Sequence, residues 1–250
     1  MSAARNEAAP ALSVVIPAYN EEARLPPHLG AVLAYLRANY PAFELLVVDD
    51  GSRDGTVAAV TAALAGEARA RVVAYTPNRG KGYAIRTGVL ATRGAQVVFL
   101  DADLSTPIDE IPRALEQLRQ AEIVIGSRDL PLSDVRVPQP LSRRVASDLF
   151  KWVRYLMVGL WRISDTQCGF KAYRGPVARQ LFALAQIDRF MFDVEILYLA
   201  ERAGLRIIEM PVRWEDSPGS KVRLGEGLQN TLRDLWRIRR LHRRRPVIAA

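Results

Sequence analysis

Residues Gln96-Val-Val-Phe-Leu-Asp-Ala-Asp103 run from four consecutive apolar side chains straight into two carboxylates. A short apolar run of this kind, rich in β-branched and aromatic residues, predicts a strand buried on both faces. The same signature recurs on either side. Leu12–Ile16, Phe43–Val48 and Arg71–Tyr75 lie upstream, and Glu122–Ile125 lies downstream. The segments between have helical spacing: Glu22–Asn39, with Leu25, Leu29, Val32, Leu33 and Leu36 on one side, then Asp54–Leu64, Gly82–Ala91 and Glu110–Arg119. Strands alternating with helices predict the α/β class, a mostly parallel sheet with helices on both faces. Such sheets bind ligands beyond the carboxyl ends of their strands, so chemistry is expected in the residues that follow each strand.

The 250-residue chain is 49% hydrophobic and 25% charged, which excludes a disordered or collagen-like protein. One cysteine, Cys168, excludes an intrachain disulfide and a cysteine-rich zinc site, and it is expected to be packed rather than reactive. Two histidines, His28 and His242, are too few for a histidine metal cluster, and none stands near a motif in the sequence. Any metal is therefore expected on carboxylates, which favours Mg2+ or Mn2+. The net charge of +8 is uneven: residues 1–125 carry 12 Lys+Arg against 14 Asp+Glu, and residues 126–250 carry 23 against 13. The second half is built to meet an anion. No apolar run reaches the ~18–20 residues that span a bilayer. The first eleven residues lack the apolar core of a signal peptide, so a cytoplasmic location is expected.

Four strand ends carry the polar groups: Pro17-Ala-Tyr-Asn-Glu21, Asp49-Asp-Gly-Ser-Arg-Asp-Gly-Thr56, Asn78-Arg-Gly-Lys-Gly82 and Asp101-Ala-Asp103. Asp and Asn in these places also serve as turn formers and helix caps. Asp101 and Asp103 are the sharpest signal. Two carboxylates this close repel, and a cation shared with ligand oxygens relieves the repulsion. A metal held by so few protein groups keeps positions for substrate phosphates, which implies a nucleoside diphosphate derivative. Gly80-Lys-Gly82 lacks the full phosphate-loop pattern. A tight turn opening a helix is expected there, with Lys81 available to substrate.

These motifs, in this order, resemble the family 2 glycosyltransferases of GT-A fold. The second half extends the likeness. Gly126-Ser-Arg128, Arg143 with Ser147, Asp165-Thr-Gln-Cys-Gly-Phe-Lys171, Phe192-Asp-Val-Glu195 and Gly219-Ser-Lys221 are similar to the polyprenyl-phosphate sugar transferases. Within that group they resemble the dolichyl-phosphate β-glucosyltransferases more than the mannosyl relatives. The resemblance implies roles at matching positions. Pro17, Tyr19 and Glu21 line a nucleotide pocket, and Asp49 or Asp50 contacts the uracil. Asp101, Ala102 and Asp103 hold the metal and the donor, with Lys81, Ser220 and Lys221 on its diphosphate. Arg128, Arg143, Ser147, Gln167 and Lys171 grip the acceptor phosphate. Asp103, Arg128 and Asp165 are the expected catalytic residues. The implied reaction is inverting transfer of glucose from UDP-glucose to a polyprenyl (dolichyl-type) phosphate. The alternatives are another nucleotide sugar (GDP-mannose, UDP-GlcNAc or a UDP-uronate) or a glycan hydroxyl acceptor. A non-catalytic membrane or nucleic-acid binder is a more distant one.

A phosphate monoester is largely ionised at pH 7, its second pKa being about 6, so it needs no general base. A sugar hydroxyl would need one, and Asp165 is the candidate. The expected organisation is a domain over residues 1–222, with a nucleotide half (12–126) and an acceptor half (127–222), then a basic amphipathic segment at 223–250. A helix is predicted over residues 142–162, with Phe150, Val153, Met157, Leu160 and Trp161 on one side. That side is expected to meet either the headgroup layer or the sheet. Residues 233–245 hold seven arginines among Leu235, Trp236, Ile238 and Leu241. They predict a basic amphipathic helix attracted to an anionic membrane surface, not to nucleic acid. Asp193 and Glu195 suit a helix N-terminus or a substrate role equally. The oligomeric state is left open.

Overall fold

The computed structural model describes residues 9–135, 141–215 and 227–249, and for residues 141–149 and 227–228 the backbone alone. Seven strands form one sheet: β1 (Leu12–Ala18), β2 (Phe43–Asp49), β3 (Ala70–Ala74), β4 (Gln96–Leu100), β5 (Ile123–Ser127), β7 (Phe170–Arg174) and β8 (Ile207–Pro211). Their spatial order is β3-β2-β1-β4-β7-β5-β8. Two short strands, β6 (Asp134–Val135) and β9 (Arg213–Trp214), pair in parallel beside it.

The helices are α1 (Leu25–Asn39), α2 (Thr56–Ala63), α3 (Lys81–Leu90), α4 (Ile111–Gln117), α5 (Leu141–Val158), α6 (Gly175–Leu184), α7 (Phe192–Ala203) and α8 (Gly227–Leu241). They cover both faces of the sheet, as expected. Alternate strand residues point to opposite faces. Val14, Ile16, Val98 and Leu100 pack with α1, α2 and α4. Val15, Val97 and Phe99 pack with α3, α6 and α7, and with Leu235 and Ile238 of α8. The expected apolar stripe of α1, Leu25 to Leu36, is buried. That helix begins at Leu25 rather than Glu22, because the amides of Arg24 and Leu25 both turn back onto the Glu21 carbonyl.

Strands β6 to β9 were not read from the sequence, and one of them, β7, shapes the site. Strand β7 runs antiparallel between β4 and β5, with Leu100 opposite Phe170 and Ile125 opposite Lys171. All other pairings in the large sheet are parallel. The carboxyl ends of β1, β2, β4, β5 and β8 therefore meet at one edge, and β7 brings its start to that edge. The loop Asp165–Gly169 precedes β7 and so arrives beside Asp101 and Arg128.

The structure also revises α5. The helix stops at Val158, where Gly159 and Leu160 take positive φ of 95° and 27°, instead of running on to Arg162. Phe150, Val153 and Met157 pack against the core and Leu160 is fully buried. That stripe therefore faces the protein rather than solvent. The exposed apolar side chains in this region are Trp152, Leu156 and Trp161.

Candidate active site

The loops after β1 and β2 are laced together. Ser52 Oγ accepts the Asn20 amide at 2.9 Å, Asn20 Oδ1 accepts the Arg53 amide at 2.9 Å, and Thr56 Oγ1 accepts the Glu21 amide at 2.7 Å. This fixes Pro17–Glu21 against Asp49–Thr56. The adjacent pair Asp49 and Asp50 divide their work. Asp50 accepts four donors: Tyr75 Oη at 2.7 Å, Asn78 Nδ2 at 2.7 Å, and the backbone amides of Arg79 and Gly80 at 2.8 Å each. It is a structural carboxylate that shapes the turn before α3. Asp49 accepts from the amide and hydroxyl of Ser52. Of the two, Asp49 keeps more acceptor capacity for a ligand.

Gly80, at φ 109°, makes the expected turn, and α3 opens at Lys81. A Cβ on Gly82 would stand 2.6 Å from Phe192 Cβ and 2.7 Å from the Ile187 carbonyl. Glycine there lets the start of α3 close on residues 187–192. That approach aims Lys81 at the acid pair: its Nζ lies 2.6 Å from Asp101 Oδ1. Burial opposes the Lys81 charge, but Asp101, Asp193 and Asp103 outweigh it and raise its pKa. Asp103 Oδ1 accepts the Ser105 amide at 3.0 Å. Asp101 lies flat against Gly169, where any β-carbon would collide with its carboxylate. The Asp101 amide also donates to the Gly169 carbonyl at 3.0 Å. The acid pair and the Asp165–Gly169 loop are thus in direct contact.

The donor chemistry here suits a hard divalent ion. Asp101 Oδ1 is buried and, apart from the Lys81 ion pair, takes no hydrogen bond among the described residues. No group of three His, Cys, Asp or Glu stands together among the described residues. Asp101 and Asp103 would therefore supply a metal's protein ligands, leaving the other positions to phosphate and water.

At the other end, Arg128 is clamped by Asp165. Its Nε and Nη2 donate to the two carboxylate oxygens at 2.7 and 2.9 Å, and its amide donates to Oδ2 at 3.1 Å. Burial would raise the Asp165 pKa, but the Arg128 guanidinium overrides it and holds the carboxyl below its usual range. Trp214 lies under the guanidinium, with its ring centroid 5.5 Å away. Glu209 on β8 orients the loop by accepting the amides of Ser164 and Asp165 at 2.9 and 3.0 Å. Asp165 is thus a positioning residue for Arg128, and its carboxylate is not poised as a base. Gln167 donates its amide to Asp165 Oδ1, while its Nε2 is buried with no partner among the described residues.

Two expectations need correction. Lys171, expected at the acceptor phosphate, is fully buried in β7. Its Nζ contacts Asp193 Oδ1 at 2.7 Å and donates to the Cys168 carbonyl at 2.7 Å. A lysine that follows the strand-start loop alternates into the core face, and Asp193 of α7 is the counter-ion waiting there. Neither histidine stands beside a motif in the chain, yet His242 Nε2 lies 2.6 Å from Glu195 Oε1. Glu195 also accepts the Ile187 amide at 2.8 Å, so it holds the loop behind α3 rather than a substrate. Cys168 is buried, which pushes its thiol up to about 11, in keeping with a packed role. Arg143, Ser147, Ser220 and Lys221 lie outside the residues whose side chains are described.

Sequence reasoning missed Arg24. It grips Glu21 through two bonds of 2.7 Å and lies close enough to Asp103 and Asp101 to feel their charge. Its spacing of three residues from Glu21 was the available signal. Glu209, and the pairing of Asp193 with Lys171, had none, because the partners are distant in the chain.

The glycosyl transferase family 2 model matches residues 13–182, more than half of the chain, including Asp49, Asp101, Asp103, Arg128 and Asp165. The chain belongs to glycosyltransferase family 2. A dolichyl-phosphate beta-glucosyltransferase of Drosophila melanogaster is 41% identical over 225 residues, 84% of this chain and 69% of that protein. One of Homo sapiens is 36% identical over the same shares. Among solved structures, glucosyl-3-phosphoglycerate synthase from Mycobacterium tuberculosis with Mn2+, uridine diphosphate and glucosyl-3-phosphoglycerate aligns with a TM-score of 0.64. It is 23% identical and covers 96% of this chain and 82% of that one. Mannosyl-3-phosphoglycerate synthase from Rubrobacter xylanophilus gives 0.65 at 19% identity, covering 93% and 74%. The fold is GT-A, and this family 2 member is a glycosyltransferase.

Proposed function

We propose that this glycosyltransferase moves glucose from UDP-glucose to a polyprenyl (dolichyl-type) phosphate, inverting the anomeric centre, at the cytoplasmic face of a membrane. The relatives of 30–41% identity named dolichyl-phosphate beta-glucosyltransferase support the sugar and the acceptor class. The observation that carries the reading is the state of the carboxylates around Arg128. Asp165 is bound to the Arg128 guanidinium, and Glu209 to the Ser164 and Asp165 amides. Neither is positioned to deprotonate a hydroxyl. An acceptor that is already an anion fits such a site, and a guanidinium matches its oxygens.

In this reading Asp49 takes the uracil, because Asp50 is saturated. Pro17, Tyr19 and Glu21 line the base pocket. Asp101 and Asp103 would hold Mg2+ or Mn2+, which when bound offsets charge on the leaving diphosphate. Lys81, Ser220 and Lys221 serve the same diphosphate, and Ala102 lets it approach. Arg128, Arg143, Ser147 and Gln167 hold the acceptor phosphate. A phosphate oxygen attacks C1 of the glucose from the face opposite the nucleotide. The C1–O bond to UDP breaks, and UDP departs with the electron pair. No proton changes hands, so catalysis rests on positioning and electrostatics.

The test is a panel of nucleotide sugars with a short polyprenyl phosphate, read by the mass and anomeric configuration of the lipid product. A β-linked hexose from UDP-glucose is expected. Turnover confined to a hydroxyl glycan, or to another donor, would replace this reading with one of the alternatives.

A further inference from the structure

The apolar side chains that α5 and α8 leave in solvent form a two-helix platform. On α5, Trp152 is 61% and Leu156 71% exposed; on α8, Trp236 is 56% and Leu232 38% exposed. The helices pack together, and Arg239 of α8 reaches the Met157 carbonyl of α5 at 3.4 Å. Trp236 stands one turn before Arg239, and Leu156 adjoins Met157. The exposed residues therefore flank the seam between the helices. Trp161 (60% exposed) stacks on Tyr155 at 4.9 Å beyond the end of α5 and extends the aromatic edge. Around these residues lies positive charge. Arg233, Arg237 and Arg240 are exposed on α8, and Arg243 and Arg244 follow it. The Arg240 guanidinium lies 5.1 Å from the Trp236 ring centroid. Exposed tryptophan beside arginine suits one environment above others, the boundary between anionic headgroups and acyl chains.

The same two turns of α5 reach inward to the acceptor end of the site. Lys151 pairs with Asp129 at 2.9 Å, next to Arg128. Arg154 donates to Thr166 Oγ1 at 3.0 Å and to the Ile163 carbonyl at 2.7 Å, on either side of Asp165. Among the described residues no helix is long and apolar enough to cross a membrane.

We infer that Trp152, Leu156, Leu232 and Trp236, with the arginines of α8, form a docking face for an anionic lipid bilayer, so that the helix reaching Asp129 and Thr166 also lies on the membrane. The inference rests on the proposed function only for the source of the acceptor. The exposure and charge of the face stand without it.

The test is flotation of the full chain with vesicles of phosphatidylcholine alone and of phosphatidylcholine with phosphatidylglycerol, at low and high salt. The protein is expected to float with the anionic vesicles and to be released by salt. A W152S/L156S/W236S variant is expected to lose roughly tenfold or more in partitioning. Its turnover on a short, water-soluble polyprenyl phosphate should stay within about twofold, and its turnover on long-chain acceptor in vesicles should fall. Equal flotation of variant and wild type would overturn the inference, as would no flotation of either. A wild-type dimer that the variant dissolves would assign the face to a second copy of the chain instead. If the protein floats as expected but turns over no nucleotide sugar, the functional reading fails and the docking face stands.

Discussion

The proposed donor and acceptor ends of the site both pair a basic side chain with carboxylates and hold them in opposite ways. At the donor end Asp101 is nearly a third exposed, and its buried Oδ1 meets Lys81 and no other partner among the described residues. At the acceptor end Arg128 is clamped through three bonds to a buried Asp165, which Glu209 orients in turn. The first arrangement is built to exchange partners, and the second to stay put. That suits a nucleotide that arrives with its own counter-ion and a phosphate that must meet a fixed fork.

The largest expected effect is on the clamped end. Asp165→Ala leaves Arg128 without its partner, and breaking such a pair costs about 3–5 kcal/mol. Arg128 is 26% exposed, so the lower end of that range is expected, as a fall in denaturation midpoint. The pH dependence follows. Asp165 has its folded pKa below the ordinary 3.8, so its stabilisation is fully present above that value and is lost as pH falls through the folded pKa. Wild-type stability should decline below about pH 4, and the variant should lack that component. Equal acid slopes in the two proteins would show that the clamp contributes nothing to stability.

The exchangeable end should respond in the opposite sense. Asp103→Ala removes a partly exposed carboxylate whose one described bond is to a neighbouring amide, so stability should change little. Turnover should fall roughly a hundred- to thousand-fold, the scale of losing one preorganised electrostatic group. Steady-state kinetics against UDP-glucose, with calorimetry of UDP binding in Mn2+, checks both halves. A variant that keeps its turnover would take Asp103 out of the donor site.

The contrast between the ends also marks what the sequence disclosed. The donor end was legible because its residues follow parallel strands, each a short apolar run, three of the four ending in carboxylates. The acceptor end depends on β7, whose Phe-Lys-Ala-Tyr-Arg alternates polar and apolar residues and carries no sign of its direction. Its antiparallel course decides that Asp165 meets Arg128 and that Lys171 turns inward to Asp193. Contacts 37 and 22 residues apart leave no mark on local periodicity. On α5 the pattern disclosed an apolar stripe but not its cover. The core cluster took Phe150, Val153 and Met157, and left Trp152 and Leu156 outside.

The finest test of exchangeability is Lys81. Its ammonium stands 2.6 Å from Asp101 Oδ1, an oxygen that a divalent ion held there would share or displace it from. Lys81→Met keeps the stem packed and removes the charge. If lysine and metal compete, Mn2+ should bind the nucleotide-free variant more tightly, by roughly three- to tenfold, since the pair is partly exposed and screened. Turnover should nonetheless fall, because in the proposed reaction the freed ammonium also serves the donor diphosphate. Tighter metal with slower turnover is an outcome a merely structural lysine does not produce. Calorimetry of Mn2+ binding beside kinetics separates the cases, and weaker Mn2+ binding would place Lys81 with the metal rather than against it.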